Sequence, residues 1–402
     1  MVKAERSPAA DGVAALGHEV FEIDTRMAGH DKITAGYLIR SERPCLVETG
    51  TAPSAPVVRD ALSRLGIGPG DLATVVVTHI HLDHAGGVGD IATMFPEAEI
   101  MVHEKGARHL SDPRRLMDSA RRVYGGALDR LFGELAPTPA DRITAVEERG
   151  SIDLGGGRRL DSHYSPGHAR HHVGLIDSAS GDLYVGDAAG VFIEETQDLR
   201  PATPPPDFDL ALALDSLRMF AALRPARLLF SHFGPVGDVA RTLERSAEEL
   251  NVWTEQTRRA SDAGLDLDHA VAMVVEQTRQ RYAALGPDAD PALGARFERQ
   301  SGAATNVAGI MHWLGNPAKP GIAARHRGNR RPRGKWRPRV NRQAACSARR
   351  SPWRYRRLSR CRRLRRPHRR LCRCRRLGRP HHCRRRLWRC HCLGRPRRCR
   401  SH

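Results

Sequence analysis

Thr78-His79-Ile80-His81-Leu82-Asp83-His84 follows directly on the apolar run Ala73 to Val77, and its reading decides the fold. Val75, Val76 and Val77 are β-branched and the run is too short for a buried helix, so it reads as a central strand. The imidazoles therefore hang at the C-terminal end of that strand. Side chains two apart on extended backbone point the same way, so His79 and His81 can reach one ion together. Asp83 and His84 fall at the start of the next turn and helix, aimed at a second, adjacent position. Two neighbouring metal ions are the reading that uses all four side chains.

Upstream of this stretch, short strands are expected at His18 to Ile23, Thr34 to Ile39 and Pro44 to Val47, with a tight turn at Gly50. Ser54 to Leu65 reads as a helix, with Val58, Ala61, Leu62 and Leu65 on one face, Ser54 as N-cap and Gly66 at its end. Downstream, Gly86-Gly87 permits close backbone approach, Ile91 to Phe95 form a short helix, and Ile100 to Val102 a strand. Residues 104 to 135 read as two or three short helices beside the site. A second strand-rich block holds Ile143 to Val146, Arg159 to Tyr164, His172 to Ile176 and Leu183 to Val185. Pro201, Pro204, Pro205 and Pro206 then force a loop. Asp207 or Asp209 caps a helix through Leu210, Leu214 and Leu217, which leads to a strand at Arg227 to Phe230. Beyond Gly237, apolar faces at Val239 to Trp253, Leu267 to Tyr282 and Val307 to Leu314 indicate three helices.

Three more polar residues stand where strands end: His168 in Ser165-Pro166-Gly167-His168, Asp187 in Val185-Gly186-Asp187, and His232 in Phe230-Ser231-His232. Rigid strands hold such loops in place while leaving them open to substrate.

With these residues in view, the chain resembles the metallo-β-lactamase-fold hydrolase superfamily, whose signature is H-x-H-x-D-H followed by a histidine, an aspartate and a histidine from later strand ends. The resemblance implies a four-layer αββα sandwich. It implies that His79, His81 and His168 hold a first metal, that Asp83, His84 and His232 hold a second, and that Asp187 bridges them. Imidazole and carboxylate donors suit Zn²⁺, and also Fe or Mn, without demanding thiolate. Two such divalent ions lower the pKa of a trapped water from about 15.7 to about 7, giving hydroxide as nucleophile. Asp83 is then the catalytic residue, orienting that hydroxide or taking its proton.

Within the superfamily, a carboxylate at 187 departs from the cysteine of several true β-lactamases. Gly190 departs from the tyrosine of acyl-homoserine lactonases. What remains is similar to the glyoxalase II-like group, which implies cleavage of an ester, thioester or lactone of a small molecule. Two other readings share the fold: a mononuclear iron sulfur dioxygenase and an RNA-processing phosphodiesterase. Glu48 stands where the family usually has an aspartate bracing the metal loop. His171 and His172, three and four residues after His168, read as surface or packing histidines more readily than as a support behind a metal ligand. His103, His109 and His163 read as satisfied polar residues.

Composition divides the chain of 402 residues in two. Its formal charge is +21, but Arg325 to His402 hold 32 arginines, one lysine and no acidic residue, or +33, leaving about −12 for the rest. Cys45 stands alone in the first 345 residues, and the other eight cysteines lie from Cys346 to Cys399. A body so poor in cysteine is not built on disulfides. No stretch approaches the roughly 20 apolar residues of a membrane span, and Met1 to Leu16 lacks a signal-like apolar core. The expectation is a cytoplasmic protein with a catalytic domain at 1–236, a helical appendage of the same domain at 237–316, and a tail at 317–402. The tail has no apolar periodicity and is expected to be disordered, touching nucleic acid only non-specifically. Its Arg, Cys, Pro, Leu, Trp and His are also what a GC-rich gene yields when read out of frame.

Overall fold

The computed structural model describes residues 12–316. The arginine tail, with the expectation attached to it, lies outside them. Seven strands form the first sheet in chain order. They are β1 (Val13–Gly17), β2 (Val20–Asp24), β3 (Ala35–Ile39), β4 (Cys45–Val47), β5 (Thr74–Val76), β6 (Glu99–His103) and β7 (Ile143–Val146). A second sheet holds β8 (Ser151–Asp153), β9 (Arg159–Tyr164), β10 (Val173–Asp177) and β11 (Asp182–Gly186). Outside it, β12 (Val191–Ile193) and β13 (Asp198–Arg200) pair as a separate ribbon. The second sheet is completed by β14 (Arg227–Phe230) and β15 (Gly234–Val236).

Alternation of side chains sorts the apolar residues into layers. Val75 and Val77 face the helices α1 (Ala55–Arg64), α2 (Leu82–Ala85) and α3 (Val88–Met94), in a core shared with Leu46, Leu62, Ile91 and Ile100. Val76 points the other way and packs between the sheets with Val47, Tyr37, Leu175, Tyr184 and Leu229. The Tyr37 hydroxyl crosses that inner layer to donate to Phe230 O at 2.5 Å. Over the same outer side as α1 lie α4 (Glu104–Ser111), α5 (Arg114–Tyr124) and α6 (Leu128–Leu131). On the far side, Leu183, Val185, Leu228 and Phe230 pack against α7 (Leu210–Leu223), α8 (Val239–Asp262), α9 (Leu267–Thr278), α10 (Pro291–Gln300) and α11 (Ala303–Gly315). The result is the expected αββα sandwich with late helices attached. Among the described residues, no helix is long and apolar enough to cross a membrane.

Several details differ from the sequence reading. Ile143–Val146 is not part of the second block but the parallel edge strand of the first sheet, against β6. Ser54 closes a short 3-10 turn ahead of α1, and its hydroxyl bonds Thr51 Oγ1 at 2.8 Å instead of capping the helix. Asp209, not Asp207, caps α7, its carboxylate accepting from Leu212 N–H at 3.0 Å. Asp207 pairs with Arg170. Among the described residues, four late helices are present where three were expected, the extra one being α10.

Strand direction fixes where the site must lie. β4 runs parallel to β5. In the second sheet β9 and β11 both pair antiparallel to β10, and β11 runs parallel to β14. The segments leaving β4, β5, β9, β11 and β14 at their C-terminal ends carry Glu48, His79 to His84, His168, Asp187 and His232 respectively.

Candidate metal centre

All seven residues singled out in the sequence meet at this edge. His79 Nε2 and His168 Nε2 each lie 3.0 Å from His81 Nδ1. His84 Nε2 is 3.2 Å from Asp187 Oδ1 and 3.7 Å from Asp83 Oδ2. His232 Nε2 approaches the same two oxygens at 3.6 and 3.4 Å. Asp187 thus turns Oδ1 to His84 and His232 while its Oδ2 lies 3.5 Å from His168 Nε2. Its carboxylate sits between the two groups. His81 and Asp83 are partly open to solvent and the other five are buried.

Among the described residues, three sets of donors able to hold a cation emerge, with donor atoms within 4.8 Å of one another: His79, His81 and His168; His79, His84 and Asp187; Asp83, His84 and His232. Hydrogen bonding does not satisfy them. Among the described residues, His84 Nε2 and Asp187 Oδ1, which face one another at 3.2 Å, are buried and have no hydrogen-bond partner. An unmet buried polar atom costs about 1–3 kcal/mol, and a cation shared by these atoms removes that cost. The three-imidazole set has the same character, because His81 Nδ1 faces two other ring nitrogens and can bond only one. The donors therefore fit divalent metal, and they include no thiolate.

The electrostatics of the metal-free cluster agree. Burial, reinforced by His84 and the other neighbouring rings, holds His79 well below the usual imidazole range. Burial and then His168 bring His81 down to about 4. Both rings are neutral at pH 7, the form that ligates. Burial alone would raise Asp83 and Asp187, but His84, His232 and, for Asp187, His168 outweigh it and keep both carboxyls ionised. His84 moves the other way, since Asp187, Asp83 and Glu48 overcome its burial and favour its charged form. Asp187 and Asp83 overcome the burial of His232 in the same way, so without metal these carboxylates favour the charged forms of both His84 and His232.

The surrounding residues orient the rings. Glu48, in left-handed backbone at φ 65°, accepts from Thr78 N–H with Oε1 at 2.9 Å and sets Oε2 3.4 Å from His84 Nδ1. The longer side chain thus braces both the strand end and a site histidine. His168 Nδ1–H donates to Ala202 O and His232 Nδ1–H to Ile33 O, each at 2.9 Å. In a neutral ring that leaves the lone pair on Nε2. His172 is not a surface residue: it is wholly buried, its Nε2 accepting from Asp187 N–H at 3.2 Å and its Nδ1 meeting Ser165 Oγ at 2.8 Å. Gly186, at φ 50°, allows this approach, since a Cβ there would lie 2.4 Å from His172 Nε2. His171 is also buried, its ring stacked 6.2 Å from His79. His103 stacks on Tyr164 at 4.8 Å. At the end of α5, Tyr124 lies near enough to Asp83 that this carboxylate, after burial, helps push its phenol up to about 12.

Fold and site together define a class, and comparison with known proteins names it. The profile of the Metallo-beta-lactamase superfamily matches residues 31–232, and the chain belongs to that family. The Metallo-beta-lactamase fold-containing protein ST1585 of Sulfurisphaera tokodaii is 30% identical over 165 residues, 40% of this chain and 60% of that protein. The chain therefore matches under two thirds of this relative's length. The crystal structure of ST1585 superposes with a TM-score of 0.56 at 22% identity, covering 73% of this chain and 98% of that one, a likeness of fold. The Probable metallo-hydrolase YqjP of Bacillus subtilis is 25% identical over 248 residues, 56% of this chain and 75% of that protein. A Hydroxyacylglutathione hydrolase of Xanthomonas campestris is 30% identical over 175 residues, 44% of this chain and 52% of that protein.

Proposed function

We propose that the protein is a metal-dependent hydrolase acting on a small-molecule ester, thioester or lactone through a dinuclear centre. His79, His81 and His168 hold one divalent ion, Asp83, His84 and His232 the other, and Asp187 serves both. The observation that carries this reading is the buried, unsatisfied set of His84 and Asp187 atoms between two groups of converging donors. Bound there, the ions supply Lewis acidity and a water acidic enough to ionise near neutral pH.

The chain's own residues do the rest. Asp83 is the more exposed of the two site carboxylates, at 22%, so one of its oxygens remains available to accept a proton from the attacking water. Glu48 and His172 fix His84 and Asp187 so that the donors need not reorganise during reaction. Tyr124, near Asp83 at the end of α5, offers an aromatic contact for the substrate. Zinc is the ion these donors favour, with iron or manganese acceptable to the same set. The 30% identity to a Hydroxyacylglutathione hydrolase supports a glyoxalase II-like place and a thioester as the first substrate to try. In this reading 1–236 is the catalytic part and 237–316 its helical extension.

Metal analysis of the purified protein, with assays on a panel of thioesters, lactones and phosphodiesters, tests the proposal. Two ions and turnover of a carbonyl substrate support it. One iron with oxygen uptake on a persulfide, or cleavage of RNA alone, would replace it.

A further inference from the structure

Within the cluster, His168 and His232 are anchored through Nδ1 by main-chain carbonyls, those of Ala202 and Ile33. Both carbonyls belong to loops, and side-chain amides from the last two helices hold both loops. The loop at 201–206 cannot hold itself: four of its six residues are proline, so only Ala202 and Thr203 carry an amide N–H. The buried Asn306 of α11 takes up the second of these, its Oδ1 accepting from Thr203 N–H at 2.8 Å. The Thr203 hydroxyl reaches Asn306 O at 3.1 Å and Oδ1 at 3.2 Å. Asn306 Nδ2 donates to Ser301 Oγ at 2.8 Å, and that hydroxyl donates to Pro201 O at 3.0 Å. Ala202 is thereby clamped from both sides. On the other loop, Gln300 Nε2, at the end of α10, donates to Lys32 O at 2.7 Å, one residue before the carbonyl that anchors His232.

We infer that Asn306 and Gln300 are positioning residues for the metal centre, fixing through these two loops the tautomer and aim of His168 and His232. Each acts on a different donor set, since His168 belongs to the three-imidazole group and His232 to the group with Asp83 and His84. The late helices thus serve the chemistry as well as the core. A carbonyl at hydrogen-bond distance from Nδ1 dictates that Nε2 presents its lone pair, and it does so only while the loop keeps that carbonyl in place. The inference rests on the reading of the cluster as a metal centre.

The test uses the metal-free full chain titrated with cobalt(II), followed by visible absorption and calorimetry, in the wild type, Asn306→Leu, Asn306→Asp and Gln300→Leu. The expected result is two cobalt ions in the wild type. In Asn306→Leu one of them binds about 10–100-fold more weakly, with a shifted ligand-field band. Asn306→Asp keeps the oxygen that accepts from Thr203 and recovers most of that affinity. Gln300→Leu weakens the other ion. Circular dichroism of each metal-free variant establishes that it is folded, and Gln300→Leu carries the test by itself if Asn306→Leu does not fold. Folded variants that bind both ions with wild-type affinity and spectrum overturn this inference alone. A wild type that binds no cobalt overturns the metal-centre reading and this inference with it.

Discussion

Gly309 offers a demanding test of how tightly the late helices grip the site. It lies inside α11, where alanine is ordinarily favoured over glycine by about 1 kcal/mol. Here a Cβ would stand 1.8 Å from Thr203 O, 2.8 Å from Pro204 C and 2.9 Å from Pro205 N. All three obstacles are backbone, so no side chain can swing aside, and helix and loop must separate by more than about 1 Å to reach ordinary contact. A shift of that size breaks the Thr203 N–H bond to Asn306 Oδ1 and the hydroxyl's bond to Asn306 O, costing about 1 kcal/mol each. Overpacking adds about 1–3 kcal/mol. Net of the helix-propensity gain, Gly309→Ala should destabilise the metal-free protein by about 2–4 kcal/mol in urea unfolding. Gly315→Ala at the end of the same helix meets nothing within 4 Å and should stay within about 1 kcal/mol of wild type. The reasoning fails if Gly309→Ala unfolds at the wild-type urea concentration.

Replacing Glu48 by Ala removes the acceptor of Thr78 N–H and the neighbour of His84 Nδ1, and should weaken cobalt binding about 10–100-fold in calorimetric titration. Unchanged affinity would show that Glu48 does not brace the site. Asp182 is wholly buried and grips Arg227 with two bonds of 2.8 and 2.7 Å. Asp182→Ala strands that guanidinium and should cost about 3–5 kcal/mol, read as a large fall in melting temperature. A fall no greater than that of an ordinary surface substitution would count against it. His103 is held down to about 4 by burial and then by Lys105, while in the unfolded chain it titrates near 6.5. Between those values the unfolded state binds the extra proton, so this residue's contribution is complete above pH 6.5 and is lost as pH falls toward 4. The loss amounts to about 1.4 kcal/mol per pH unit. His103→Gln should flatten the acid side of the stability profile by up to about 3 kcal/mol, and a profile parallel to wild type would refute the assignment.

Much of this architecture was legible because its signals are local. Val75, Val76 and Val77 announce a strand by residue type, and their burial in alternate layers follows from the two-residue period. The seven site residues were visible because each follows a strand end and because four of them lie within six residues. Elements of three residues, such as β12, β13 and β15, carry too little periodicity to register, and the small residues of β1 look like a loop. Ile143–Val146 was recognisable as a strand, but nothing within it specifies a partner, so its sheet could not be assigned. The supports of the site were hidden for a similar reason. Asn306 meets Thr203 across 103 residues and His172 meets Asp187 across 15, and an isolated amide or imidazole in sequence carries no mark of such a bond.

Metal content per chain bears most directly on the central claim. Protein purified without chelator, then stripped and reloaded with zinc, should carry two ions per chain. His84→Ala should lose one of them, because its ring faces Asp83 and Asp187 together. A wild type that binds no metal tightly, or a His84→Ala variant that keeps both ions at full affinity, would contradict the account.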